Sequence, residues 1–242
     1  MGLPNLLNDV PRYDAVLPSN GEKVKFRPFL VKEQKVLMMA AETRDSKAMV
    51  KSMTDCVSGC VEGTDTTKLP SFDLDYIFIK IRSKSVGEKT DVRTGCSSCG
   101  AENILKIDLE KIEFTKSEIS NMIDISNNIS LKMKFPSYHD MVKNEKIFSN
   151  ELTQAEVLFE TIILCIDSVI TEEENIVLKD EPREQVEEFI NSFNNEQLAT
   201  MAEYIEALPK IKYTQKYECK SCKYENTFDI KGIQDFFNSP LT

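Results

Sequence analysis

Histidine is almost absent: the 242 residues contain one, His139, in the stretch Pro136-Ser-Tyr-His-Asp140. Ser-His-Asp and Cys-His catalytic arrangements therefore have a single candidate base, and no Gly-x-Ser-x-Gly elbow or papain-like cysteine context accompanies it. His139 reads as a surface or turn residue. Glycine is scarce as well, at eight. Neither Gly-x-x-x-x-Gly-Lys-Ser/Thr nor Gly-x-Gly-x-x-Gly occurs, so the raw material for a nucleotide phosphate cradle is missing. Basic residues are outnumbered, 30 Lys+Arg against 40 Asp+Glu, and the net charge of −10 argues against gripping nucleic acid through the overall field. The densest basic stretch, Lys132, Lys134, Lys143 and Lys146, reads as an ordinary solvated face. Acidic runs such as Glu172–Glu174 and Glu187–Glu188 follow helical faces or loops and do not mark a paired-carboxylate hydrolase. Neither an enzyme nor a small-molecule substrate is expected.

Long apolar runs are lacking too. The longest, Val157 to Ile170, is interrupted by Glu160 and Asp167 and falls short of a membrane span. The N-terminal stretch has no basic region followed by an apolar one, and Leu6 occupies the position where a myristoylation signal wants Ser or Thr. A soluble cytosolic protein with no membrane partner is the expectation. Seven cysteines, an odd count without a secretory signal, point to a reducing compartment and shift Cys pairs from disulfides toward metal.

Hydrophobic residues reach 41%, enough for a real core in one large domain or two small ones. The most informative feature is a repeated motif. Cys96-Ser-Ser-Cys99-Gly-Ala-Glu102-Asn103 and Cys219-Lys-Ser-Cys222-Lys-Tyr-Glu225-Asn226 share a Ser before the second cysteine and a Glu-Asn pair three residues after it, and a strand-like segment follows each. Two such knuckles supply four thiolates, a full tetrahedral set for one Zn²⁺ per chain held by Cys96, Cys99, Cys219 and Cys222. All four positions would be protein ligands, so the site would be structural. Four reduced thiols that never meet, or a redox pair, are the alternatives; a redox Cys-x-x-Cys usually sits at a helix N-terminus in a βαβ setting, and both pairs here lie between strand-like segments. Cys56 and Cys60 are spaced for one helix face with Met49 and Met53 and read as core, as does Cys165 between Leu164 and Ile166.

The fold class expected is α+β, with helical N- and C-terminal parts around a central β portion and a split zinc-ribbon-like site. Residues 1–30 read as a Pro-punctuated arm and hairpin, and the arm 1–18, with Leu3, Leu6, Leu7, Val10 and Tyr13, as a segment that docks on a partner. Residues 31–88 read as helical: a helix over 29–41 with apolar Leu30, Val31, Leu37, Met38 and Ala41, a second over 46–61, and a third over 74–85 showing Leu74, Ile77, Phe78 and Ile81 on one face. Residues 89–150 read as a β-rich region carrying the first knuckle. Residues 151–242 read as helical, returning through the second knuckle: a capping box at Thr153/Glu156 opens a helix to about 168, helices follow near 183–193 and 196–208, and a last one covers 233–238. Arg27-Pro-Phe29 and the Ile79–Arg82 stretch mix apolar and cationic groups, as an interface anchor would, or as braces between helices would.

Two segments carry a family resemblance. Asn20-Gly-Glu-Lys-Val-Lys-Phe-Arg-Pro-Phe-Leu-Val-Lys-Glu-Gln-Lys-Val-Leu-Met-Met-Ala40 resembles the N-terminal signature of T4-type bacteriophage baseplate hub proteins, and Phe72-Asp-Leu-Asp-Tyr-Ile-Phe-Ile-Lys-Ile-Arg-Ser-Lys-Ser-Val-Gly-Glu88 resembles its second signature. Some members continue into a Cys-x-x-Cys segment, and Pro136-Ser-Tyr138 also fits. The resemblance covers the first 140 residues well and the C-terminal hundred loosely. It implies a structural or assembly component of a contractile-tail baseplate, with other hub or tail proteins as partners and the tape-measure protein as a further candidate. It also implies residence in the host cytoplasm during assembly and in the virion if retained, and it carries over no catalytic residue. The alternatives are an assembly chaperone for the tape-measure protein that is absent from the virion, and a zinc-ribbon module that binds nucleic acid.

Overall fold

The computed structural model describes residues 9–43, 45–115, 119–148 and 152–230. Two compact units divide the chain: Met1–Thr115 joined by Lys210–Thr242, and Lys116–Pro209 between them in sequence. Segments 89–150 and 151–242 each contribute to both. Helix and sheet are mixed as expected, but strands are not confined to the centre.

The first unit opens with β1 (Tyr13–Val16) antiparallel to β2 (Lys23–Phe26), Tyr13 facing Phe26, and Gly21 at φ +73° turns the chain between them. Ala15 and Leu17 are buried. The arm expected to dock on a partner is thus packed into its own unit from Tyr13 onward; Leu3, Leu6 and Leu7 lie outside the described residues. Two helices follow, α1 (Val31–Thr43) and α2 (Ser46–Cys60), the second capped by Asp45, whose carboxylate accepts from Lys47 and Ala48 N–H. The chain then adds β3 (Val61–Glu62) beside β2.

The buried face of α1 differs from the apolar stripe in its sequence. Glu33, Leu37 and Ala40 are buried, whereas Val31 is 80% exposed and Met38 40%. Arg27 draws Glu33 inward. Its guanidinium pairs with Glu33 at 3.0 Å and donates to the carbonyls of Gly59 at 2.6 Å and Pro28 at 2.9 Å, while Glu33 accepts from Leu30 N–H at 2.8 Å. Arg27 is therefore a brace tying β2 to the helices, not an anchor presented to a partner.

The third helix, α3 (Ser71–Val86), starts after Pro70 and stops at Gly87, whose φ of +112° favours glycine. It is buried well beyond one face: besides Leu74, Ile77, Phe78 and Ile81, it buries Ile79, Asp73 and Arg82. The cause is packing against α2 on one side and against the turn at Leu109–Lys111 on another. Asp73 accepts from the Ser19 backbone and hydroxyl. Arg82, 2% exposed, donates to Thr90 Oγ1 at 3.0 Å, while its Nε and Nη1 have no hydrogen-bond partner, and burial lowers its pKa to about 10. A hairpin follows, β4 (Lys89–Gly95) and β5 (Glu102–Asp108), and then the short β6 (Glu113–Phe114).

The second unit holds β7 (Met122–Ser126), β8 (Ile129–Met133), α4 (Tyr138–Lys143), α5 (Gln154–Cys165), β9 (Ile166–Thr171), β10 (Asn175–Val177), α6 (Arg183–Asn191) and α7 (Asn195–Glu206). Its four-stranded antiparallel sheet runs β10-β9-β8-β7. Leu131, Ile162, Ile166, Ile190, Met201 and Tyr204 are among the core residues. The Thr153/Glu156 capping box is present, but α5 ends at Cys165 and the apolar run continues as β9. The expected helix to 168 is thereby corrected: Ile166, Val169, Ile170 and Thr171 are β-branched and pair with β8, and Ser168, Val169 and Ile170 pair with β10 on the other side.

The chain re-enters the first unit through β11 (Ile211–Lys212), which pairs with β6, and the hairpin of β12 (Thr214–Glu218) and β13 (Glu225–Asp229). Thr115 N–H donates to Lys210 O at 2.9 Å and Lys210 N–H to Thr115 Oγ1 at 2.8 Å, so the two ends of the excursion lie side by side. The helix expected over 233–238 lies outside the described residues.

Candidate metal centre

Each knuckle is the tip of a hairpin, and the two tips turn in the same way. In the first, Cys96 N–H donates to Ala101 O at 2.9 Å and Gly100 N–H to Cys96 O at 2.9 Å; in the second, Cys219 N–H donates to Tyr224 O at 2.9 Å and Lys223 N–H to Cys219 O at 3.0 Å. The residue after the second cysteine is left-handed in both, Gly100 at φ +71° and Lys223 at φ +64°. Lys223 is the sole non-glycine residue with positive φ among those described. A side chain there costs about 1 kcal/mol relative to glycine, which the second turn tolerates because the same hydrogen bonds hold it.

The fold brings all four knuckle cysteines together. Their sulfurs lie within 4.8 Å of one another, with Cys96 Sγ 3.6 Å from Cys222 Sγ and Cys99 Sγ 3.8 Å from Cys219 Sγ. Four sulfurs about 2.3 Å from a central ion stand about 3.8 Å apart along a tetrahedron's edges. The observed pairs match that spacing and are far longer than the about 2.05 Å of a disulfide. Cys96 and Cys219 are buried, and Cys99 and Cys222 are exposed.

The buried pair is also the electrostatically prepared pair. The backbone N–H of Cys222, then the Asn103 side chain, lower the Cys219 thiol to about 6. The backbone N–H of Cys99 leads the causes that lower Cys96. At Cys99 the Ala101 N–H pulls down, but hydrogen bonding with the Cys222 thiol, burial and the Cys219 thiol push it up to about 12. Such a set of soft, convergent sulfurs suits a thiophilic divalent ion, for which four thiolates are a full tetrahedral set.

The remaining cysteines stay apart from this cluster. Cys56 and Cys60 are buried on α2 with Met53 and Val57, Cys60 lying 3.5 Å from Arg27 Nη1, and Cys165 is buried in the second unit. His139 is exposed on α4. Of the basic stretch, Lys132 pairs with Asp167 at 2.9 Å and Lys146 with Glu187 at 3.0 Å. The repeated Glu-Asn is visible in the sequence, but its role is not. In the structure Asn103 and Asn226 cross between the knuckles, and Tyr217 Oη donates to Gly95 O at 3.1 Å beside them.

No helix among the described residues is long and apolar enough to cross a membrane. The family model described as T4 bacteriophage base plate protein matches residues 10–238, nearly the whole chain. No curated protein and no solved structure matches it.

Proposed function

This chain belongs to the T4 bacteriophage base plate protein family, and from that premise we propose that it is a structural or assembly component of the contractile-tail baseplate hub. It works through protein–protein contact with other hub or tail proteins and is held in shape by one Zn²⁺ on Cys96, Cys99, Cys219 and Cys222. The observation that carries the reading is the length of the family match, which runs through both units and both knuckles. Bound there, the ion would supply a four-way crosslink and no reactive position, so its contribution is to folding. The chain's own share is to present preformed turns whose N–H groups already point at the sulfurs. Catalysis has no part in this role. The acidic balance of −10 disfavours the nucleic-acid reading.

Two forms of the role make opposite predictions. A hub component stays in the particle, so the chain should be found in purified tails at a fixed ratio to other baseplate proteins. A chaperone acting during assembly, on the tape-measure protein for instance, should be found in the lysate of infected host cells and not in tails. Mass spectrometry of gradient-purified tails decides between them, and absence of the chain from both tails and assembly intermediates would contradict the proposal as a whole.

A further inference from the structure

Each asparagine of the repeated Glu-Asn engages both ends of its amide, and does so across the gap between the knuckles. Asn226, on the second knuckle's strand, donates from Nδ2 to Cys96 Sγ at 3.4 Å and to its own Tyr224 O at 2.9 Å, while its Oδ1 accepts from Ser97 N–H at 3.0 Å and Ser97 Oγ–H at 2.8 Å. Asn103, on the first knuckle's strand, donates to Cys219 Sγ at 3.5 Å and to its own Ala101 O at 2.9 Å, while its Oδ1 accepts from Lys220 N–H at 3.0 Å. Both residues are buried, at 3% and 6% exposed. The orientation of each amide follows from its neighbours: a backbone N–H facing one end must meet oxygen, which turns the two N–H donors toward sulfur and carbonyl.

We propose that Asn103 and Asn226 are reciprocal positioning residues of the four-cysteine centre, each holding the leading cysteine of the opposite knuckle so that the two knuckles close as one unit. The inference rests on the reading that the centre holds metal. Asparagine suits the task where its neighbours in chemistry do not: Asp lacks the N–H donors and sets a negative charge against thiolate, Leu has neither donor nor acceptor, and Gln is one carbon too long for the same reach. The two cysteines held in this way are the two buried ones. They belong to different knuckles, so loss of an exposed ligand, Cys99 or Cys222, leaves the knuckles still joined. Hydrogen bonds around metal ligands change affinity about 10–100-fold when removed.

The test uses the full chain loaded with Zn²⁺, and follows transfer of the metal to the chromogenic chelator 4-(2-pyridylazo)resorcinol. Asn103→Asp and Asn226→Asp keep the acceptor and delete the donor, and each should speed release about 10-fold or more. Loaded with Co²⁺, both variants should also shift the sulfur-to-metal charge-transfer band to lower energy, because a thiolate without its donor gives up charge more easily; loss of packing alone would not move the band. Ser97→Ala removes one bond to Asn226 at an exposed position, so it folds where an Asp variant fails, and should speed release about twofold. Wild-type protein that takes up no metal would remove the centre and this proposal with it. Wild-type protein that holds metal, with release from the variants unchanged, would overturn the positioning role alone.

Discussion

Arg27 and Arg82 are two cations buried in the same unit with opposite surroundings. Arg27 has a carboxylate, two carbonyls and a thiol within reach, and Arg82 has one hydroxyl. Removing one partner of a buried ion pair strands the other, so Arg27→Ala should lower the stability of the first unit by about 3 kcal/mol. Arg82→Met replaces an unpaired charge by apolar volume and should raise it by about 1 kcal/mol, after allowing for the Thr90 hydroxyl left without its donor. Urea unfolding of both variants checks the pair, and strong destabilisation by Arg82→Met would reveal an anionic partner for that residue. Glu110 supplies the pH dependence. Lys80 at 2.7 Å, then the Ser83 hydroxyl, hold its carboxyl at about 2. A depressed folded-state pKa contributes stability that is full above the unfolded value, about 4.3, and is lost as pH falls through about 2. The stability difference between wild type and Glu110→Gln should therefore be constant above about pH 4.5 and shrink steadily toward pH 2. A difference that does not change over that window would contradict the assignment.

Among the elements, the two knuckle hairpins share one plan with one unequal residue. Gly100 occupies its left-handed position without strain, with open space around the place a Cβ would take, whereas Lys223 carries a side chain there. Lys223→Gly should stabilise the second knuckle by up to about 1 kcal/mol, less the extra freedom glycine gains in the unfolded chain; Gly100→Ala should cost a comparable amount. Thermal unfolding of the two variants, read for opposite signs, checks this. These hairpins were legible in the sequence because turn, cysteine spacing and alternation all repeat. The Thr153/Glu156 cap was legible for a similar reason, being a local pattern. The continuation of Ile166–Thr171 as a strand was not, since a short unbroken apolar run has no period to read and only its pairing with β8 and β10 decides. The burial of Glu33 was hidden likewise: it depends on Arg27, six positions away and just beyond the end of β2. The asparagines were visible as a repeat, but their purpose appears only when each knuckle meets its twin.

On the scale of the whole molecule, the second unit is an excursion from the first. Its departure and return are marked by the Thr115–Lys210 hydrogen bonds and the β6–β11 pair, and the cysteines close the chain across 126 positions. Such long-range closure lies outside what local sequence patterns report, which is why composition suggests consecutive segments. Replacing residues 116–209 by a short Gly-Ser linker should leave a first unit that unfolds cooperatively and takes up Zn²⁺ to the same extent as the full chain, because the joined ends are already adjacent and loop-closure cost rises slowly with length. Failure of the shortened chain to fold would show that the second unit is needed to hold the first. The measurement that bears most directly on the account is the zinc content of the purified full chain by inductively coupled plasma mass spectrometry. The account predicts about one Zn²⁺ per chain, lost together with cooperative unfolding on Cys219→Ser. A fully folded, metal-free wild-type protein would contradict it.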